Sequence, residues 1–400
     1  MRVADRIELL SELTASGPRG AGTDAERRAA NLLAGRLRSL GRRAEIEPIR
    51  SHRNAPFIYA IHIALALAAG LVGSEQPEVG LGVAVAVLIS LYGELDGRYA
   101  LLRRLLFRRA SQNVWSPGVR SDAPALVVLT AHYDTARSGA VHRPGMARIA
   151  GALPVRTGTT GLGFWLTLTL LPGLVLLATG LEERWVFALL ALPTVGLLLL
   201  LAASGDVALS RPVPGANDNA SGVVTAISAA TELEADEPEN LEIAVALTGS
   251  SEWNPIGMRR FMRAHRADLD PRWTWIINIE AVGTGTVRVL TAEGPLVLYG
   301  HDTSLLELCE AATEAEPTLG AEGQRRRLAS DGYVARRARL PAVTITCAEG
   351  KALPDAIHHE TDTTDQVDPA AMEDAHAYVM ALVRLIDREA GRRLADQAGA

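Results

Sequence analysis

Cys309 and Cys347 are the only two cysteines in 400 residues, and they stand far apart with no C-x-x-C pair and no histidine-rich neighbourhood. That scarcity excludes a disulfide framework and a thiolate metal site, and makes a reduced, buried pair the expected state. Aromatic residues are only 4% of the chain and are not interleaved with arginine, and the formal net charge is −6. The basic stripe that follows a phosphate backbone is missing, so nucleic acid is not an expected partner. There is no internal repeat and no low-complexity tract, apart from a charged tail after Arg388 that reads as a frayed end. The first thirty residues carry charge throughout and lack the apolar centre of a secretory signal peptide.

What is abundant is apolar surface, at 48% of the residues, enough to fill the core of one large domain and leave more over. The segment 123–130 is a continuous apolar run, as expected of a strand buried on both faces of a parallel sheet. Runs of the same kind lie at 241–247, 273–279 and 341–347. Between them, helical spacing of apolar residues predicts helices over 222–233, 253–265 and 370–386, and a helical pair joined by a glycine-rich loop over 4–40. This alternation predicts an α/β fold with a doubly wound, mostly parallel sheet flanked by helices. In such sheets ligands sit past the carboxyl ends of the strands.

Four further apolar runs do not fit that alternation. Those at 57–73 and 79–93 are short for a membrane span, with a buried or re-entrant hairpin as the competing reading, while 161–181 and 185–203 are long enough to cross a bilayer. They predict two transmembrane helical hairpins, 56–93 and 161–203, inserted into one discontinuous domain made of 1–55, 94–160 and 204–400. Insertions at loops leave the connectivity of a sheet intact. Arg42, Arg43, Arg50 and Arg53 precede the first run, Arg98, Arg103, Arg104, Arg108 and Arg109 follow the second, and Arg143, Arg148 and Arg156 precede the third. The turns inside each hairpin are mostly acidic. By the positive-inside rule this predicts a multi-pass protein of the cytoplasmic membrane, with the lipid bilayer as a partner and the soluble domain on the cytoplasmic side. A transporter is disfavoured, since the apolar runs hold only His62 as an ionisable group.

The chemistry lies at the strand ends. The stretch 214–222 reads P-G-A-N-D-N-A-S-G, an acidic, glycine-flanked turn opening a helix. His132-Tyr133-Asp134, Ser251-Glu252, Asn278-Ile279-Glu280 and His358 stand at the ends of other apolar runs or in a late loop. Zinc takes imidazole nitrogen and carboxylate oxygen, and two zincs close together need a carboxylate with one oxygen for each. Asp218, on its sharp turn, is the natural bridge. Asp134 is placed to accept the other ring N–H of His132. Taken singly, each has a bland explanation, for Asp218 a helix N-cap.

The arrangement resembles the zinc exopeptidases of metallopeptidase family 28, the leucyl-type aminopeptidases, glutamate carboxypeptidase and the related glutaminyl cyclases. The strongest motif is matched by 215–222, and the resemblance runs from Pro18-Arg19-Gly20 to the closing helix, leaving out the hairpins. It implies a zinc-exopeptidase-like fold, a site for two zinc ions with one as the alternative, and a peptide substrate cleaved at its N-terminus. It implies further that His132 binds one zinc, with Asp134 as its supporting partner, that Asp218 bridges, and that Glu252 and His358 bind the other. His359 competes with His358, and the four-residue spacing to Asp362 favours His358. Glu280 stands where aspartate is usual and remains a plausible ligand. Ser330-Asp331 matches an S-D-H segment in which Gly332 replaces the histidine.

One departure bears on activity. Position 251 is where the family carries its general base, a glutamate, and here it is Ser251. Serine does not take a proton near neutral pH, and a positioned base is worth about 10² to 10⁴ in rate. Hydrolysis is then weak, or a carboxylate from elsewhere substitutes. The alternatives are a catalytically inactive peptidase-like binding protein at the membrane and, ranked last, a glutaminyl-cyclase-like acyltransferase. Side-chain preference and oligomeric state are not legible from the chain.

Overall fold

Leu129 and its neighbours show why the middle strands read as unbroken apolar runs. In the computed structural model, Val127, Leu129 and Ala131 turn into one hydrophobic core and Val128, between them, into another on the opposite face of the sheet. The structure describes residues 1–398 apart from 53, 98, 121, 144–163, 165–166, 169, 171–173, 175–183 and 351–356. Helices Val3–Ala15, Asp24–Ser39, Gly222–Ala235 and Pro369–Ala398 close the first core, and Ile256–Ala264 with Asp331–Arg337 close the second. The sheet is thus covered by helices on both faces, the arrangement that a parallel sheet requires.

Among the described residues nine strands make up the sheet: β1 (Glu45–Ser51), β2 (Arg109–Ser116), β3 (Ala125–His132), β4 (Leu241–Thr248), β5 (Thr274–Glu280), β6 (Thr286–Glu293), β7 (Tyr299–Gly300), β8 (Glu322–Arg326) and β9 (Ala342–Ala348). Their order is β1-β2-β4-β3-β5-β9-β6-β7, with β8 on β6. The four apolar runs form the parallel centre, β4-β3-β5-β9. Both margins turn antiparallel, β1 with β2 and β2 with β4 on one side, β6 with β9 and β7 on the other. The parallel reading therefore holds for the centre and for β8 on β6, while the other marginal pairs are antiparallel. Antiparallel edges are free to be half wet: β1 buries only Ile49 and Ser51, and carries Pro48, which an edge strand tolerates.

Contacts divide the chain into two compact units. The sheet unit comprises Met1–Arg53, Arg108–Ala136 and Pro212–Ala400; the second unit comprises Asn54–Phe107 and Arg137–Arg211. In the second unit, helix Ala55–Glu75 packs on Pro77–Asp96 and on Arg184–Leu209. Asn54 caps the first of these, its side chain accepting from Phe57 N–H at 3.2 Å. By length and composition Ala55–Glu75, Pro77–Asp96 and Ala191–Leu209 are three helices apolar enough to cross a membrane. The run 161–181 falls almost wholly outside the described residues.

Buried charge in the sheet unit sets a pH dependence. Glu26 opens helix Asp24–Ser39 behind the cap of Thr23, yet its carboxylate is buried, accepting from Ser111 Oγ and Gly22 N–H, each at 2.7 Å. Burial, then the negative charge of Asp134, push it up to about 8. The folded state thus holds this proton more tightly than the unfolded state. Its contribution to stability is complete below about pH 4.5 and is lost as pH rises through about 8. Glu26→Gln removes that slope. We expect its stability relative to the parent chain to improve by about 1–3 kcal/mol between pH 5 and 8.5, read from denaturant midpoints at the two pH values.

Candidate metal centre

The ends of β3, β4 and β5 deliver His132, the Gly249–Glu252 turn and Glu280 to one rim of the sheet, and the turn 216–221 delivers Asp218 beside them. That turn is held from three directions. Arg19, fully buried, donates to the carbonyls of Tyr133 at 2.7 Å, Pro214 at 2.9 Å and Gly215 at 2.7 Å. Asp362 accepts from Asn217 N–H at 2.7 Å and Asp218 N–H at 3.0 Å. Asn219 donates to Ile279 O at 2.9 Å and accepts from Ala281 N–H at 2.9 Å, tying the turn to the end of β5. Gly215 has φ +65°, and a Cβ there would lie 2.3 Å from Thr135 Cγ2, so the motif's first glycine is sterically required. The Asp218–Asn219 peptide bond is cis.

Ligand atoms of His132, Asp218 and Glu252 lie within 4.8 Å of one another, all on buried or half-buried residues. The two oxygens of Asp218 face different imidazoles: Oδ1 is 3.5 Å from His132 Nε2, and Oδ2 is 3.2 Å from His358 Nε2. His358 Nε2 is also 3.6 Å from Glu252 Oε2, while His359, equally half-buried, has its ring bonded to Thr361 Oγ1 at 2.9 Å. Among the described residues four of the six non-glycine positive φ values flank this cluster, at Ser250, Trp253, Ala281 and His358. Such backbone persists only where its surroundings hold it, and it concentrates at functional sites. The Trp253 ring stacks obliquely on His358, with centroids 5.5 Å apart.

The electrostatics are those of a site built around positive charge. Burial works against a charged Asp218, but hydrogen bonds from His132 and His358 outweigh it and hold the carboxyl well below its ordinary range. Burial likewise opposes charge on His358, yet Glu252 and Asp218 carry it up to about 9, and His132 is raised by Asp218 and Glu252 in the same way. Glu252 is pushed up to about 8 by burial and then by Asp218, and its Oε1 is buried with no hydrogen-bond donor. His132, Asp218 and Glu252 converging, with an unsatisfied oxygen on Glu252 and with His358 beside the two carboxylates, fit a divalent zinc ion.

Asp134 and Glu280 are arranged less simply than the sequence suggests. His132 Nδ1 meets the backbone carbonyl of Asp134 at 3.1 Å, and its carboxylate only at 3.8 Å. That carboxylate instead accepts from the N–H groups of Ser251 at 2.8 Å and Glu252 at 3.1 Å, fixing the turn that carries the candidate ligand. Glu280 accepts from Asn278 Nδ2 at 2.9 Å, is raised to about 7 mainly by burial, and stands apart from the three converging ligand atoms. Ser251 is buried, and its hydroxyl contacts Thr248 Oγ1 at 2.9 Å and Asp331 Oδ1 at 3.3 Å. At position 332 an added Cβ would lie 2.3 Å from Thr344 Oγ1, so this pocket has no room for a histidine there.

Arg19, Asp362 and Asp331 had no role in the sequence reading beyond their place in short motifs. Arginine in P-R-G looks like surface charge until its acceptors, more than a hundred residues away in the chain, are known.

Residues 198–383 match the model of peptidase family M28. Among solved structures, a zinc aminopeptidase of Bacillus subtilis is 15% identical, covering 96% of this chain and 94% of its own, with a TM-score of 0.57. The LapA aminopeptidase of Legionella pneumophila is 12% identical, with coverages of 96% and 72% and a TM-score of 0.55. A glutaminyl cyclase of Bacteroides thetaiotaomicron, bound to N-acetylhistamine, is 14% identical, with coverages of 96% and 97% and a TM-score of 0.54. No curated protein matches the chain. The resemblance to the M28 zinc exopeptidases therefore holds, and the likenesses to solved structures establish the shared fold.

Proposed function

Given an M28 peptidase core on the fold of zinc aminopeptidases, we propose that the chain is a membrane-anchored zinc exopeptidase that removes N-terminal residues from peptides. The observation that carries this reading is the division of Asp218 between two imidazoles, the geometry of a carboxylate shared by two cations. His132 with Glu280 would hold one zinc, Glu252 with His358 the other, and Asp218 both, with a single ion as the alternative. The sheet unit is the catalytic part, and the apolar helices of the second unit are the anchor in the cytoplasmic membrane, the soluble part lying on the arginine-rich, cytoplasmic side.

Zinc, when bound, supplies a water acidified to a pKa of about 7 and a Lewis acid for the scissile carbonyl. The chain's own residues do the rest. The Asp134 carbonyl accepts a hydrogen bond from His132 Nδ1–H, which leaves Nε2 free to donate its lone pair to a metal. The Asp134 carboxylate, through two backbone bonds, keeps Glu252 at the rim. Burial of these groups excludes bulk water and strengthens each interaction.

Ser251 favours a second reading, a peptide-binding protein without turnover, because it removes the family's proton acceptor. The two readings separate on the full chain in detergent, loaded with zinc and given chromogenic aminoacyl substrates. We expect measurable turnover that Glu252→Ala lowers by about a hundredfold or more. Zinc-loaded protein with no turnover on any such substrate would favour the binder. A cyclase activity has only the shared fold in its support.

A further inference from the structure

We propose that Asp331, reached through the hydroxyl of Ser251, is the proton acceptor that this chain uses in place of a glutamate at position 251. The inference rests on the zinc-peptidase reading and adds to it the group that reading lacks.

Asp331 is 2% exposed at the start of helix Asp331–Arg337. The helix does not need it as a cap, since Ser330 Oγ already accepts from Tyr333 N–H at 3.0 Å. Its carboxylate is turned to the strand ends instead. Oδ2 accepts from Thr130 Oγ1 at 3.1 Å and from Thr248 Oγ1 at 2.6 Å, and Oδ1 from Ser251 Oγ at 3.3 Å. Three neutral hydroxyls surround it, and among the described residues it makes no ion pair. A buried carboxylate without a cation is costly, and taking up a proton is its means of relief. Burial does raise its affinity for that proton.

Of the three hydroxyl residues, Ser251 is the one joined in the chain to Glu252, which offers a ligand atom to the metal site. A serine hydroxyl accepts one hydrogen bond while donating another, which makes it a relay where it cannot be a base. As a water oxygen attacks the carbonyl carbon, one of its O–H bonds breaks and that proton passes to Ser251 Oγ. The Ser251 hydroxyl proton moves at the same time to Asp331 Oδ1, and the carboxylate becomes a carboxylic acid. When the C–N bond breaks, the same chain in reverse returns the proton to the leaving amine nitrogen, and Asp331 is again ionised. Thr248, bonded to both Ser251 and Asp331, keeps the two aligned.

The test uses full-length, zinc-loaded protein in detergent with a chromogenic aminoacyl substrate. Asp331→Asn keeps the shape and removes the acceptor. We expect kcat to fall about a hundredfold or more with KM unchanged, and the acidic limb of the pH profile to disappear. Ser251→Ala should cost a similar factor, and the double variant no more than either alone, since the two act as a unit. Ser251→Glu should restore turnover in the Asp331→Asn background. Zinc content and thermal midpoint of Asp331→Asn should match the parent, and difference infrared spectra across pH should show a buried carboxylic-acid band in the parent that this variant lacks. Turnover within threefold of the parent, an unchanged pH profile, losses that add in the double variant, or no such band would overturn the proposal and leave the peptidase reading standing. A zinc-loaded parent chain with no turnover would overturn both.

Discussion

Asp218→Ala is expected to leave the purified protein without zinc, and the parent chain is expected to carry one to two ions. Among the described residues Asp218 is the only side chain whose two oxygens face both histidines, so its loss removes a ligand from each position at once. It also removes the charge that, with Glu252, keeps His132 and His358 basic. What remains is one imidazole and one carboxylate for each position, His132 with Glu280 and His358 with Glu252, too few ligands for a tetrahedral ion at either. Zinc content by atomic emission after equilibrium dialysis is the measurement. We expect it to fall below about a tenth of the parent's, with turnover lost in parallel. The Asp218 backbone is held by Asp362, Arg19 and Asn219 independently of its side chain, so the fold should persist. Retention of a full complement of zinc would remove the metal centre from this rim of the sheet.

Replacing Arg19 by methionine is expected to be the most destabilising single change in the sheet unit, at about 3–5 kcal/mol. The guanidinium is fully buried and donates to four carbonyls, those of Leu13, Tyr133, Pro214 and Gly215. Burial lowers it to about 10, offset by the negative charges of Asp362, Asp134, Asp218 and Glu252, so it stays charged at neutral pH. Methionine fills the space and leaves those carbonyls buried and unpaired, at about 1–3 kcal/mol for each that finds no water. Lysine should rescue little, because a point donor does not reproduce a planar fork. The measurement is the denaturant midpoint of zinc-free protein in detergent, where a shift under about 1 kcal/mol would show the carbonyls to be resatisfied.

How far the chain could be read in advance differs by element, for a physical reason. The central strands β3, β4, β5 and β9 were legible because burial on both faces leaves an unbroken apolar run. The margins were not: β1 is mostly polar, β8 reads Glu-Gly-Gln-Arg-Arg, and β7 is two residues long. Edge strands borrow their conformation from a neighbour, and no local pattern announces them. In the same way, the turn at 215–222 was legible because its glycines and asparagines answer to local geometry.

The residue types of the candidate site, their placement at strand ends and the absence of a glutamate at position 251 follow from the amino-acid order alone. Each is a matter of local spacing. The division of Asp218 between two imidazoles and the carboxylate standing behind Ser251 were decided only by the folded sheet. Those are meetings between groups as much as 140 residues apart, brought together by the pairing of β3, β4 and β5, and hydrophobic burial drives that pairing without regard to the chemistry it assembles.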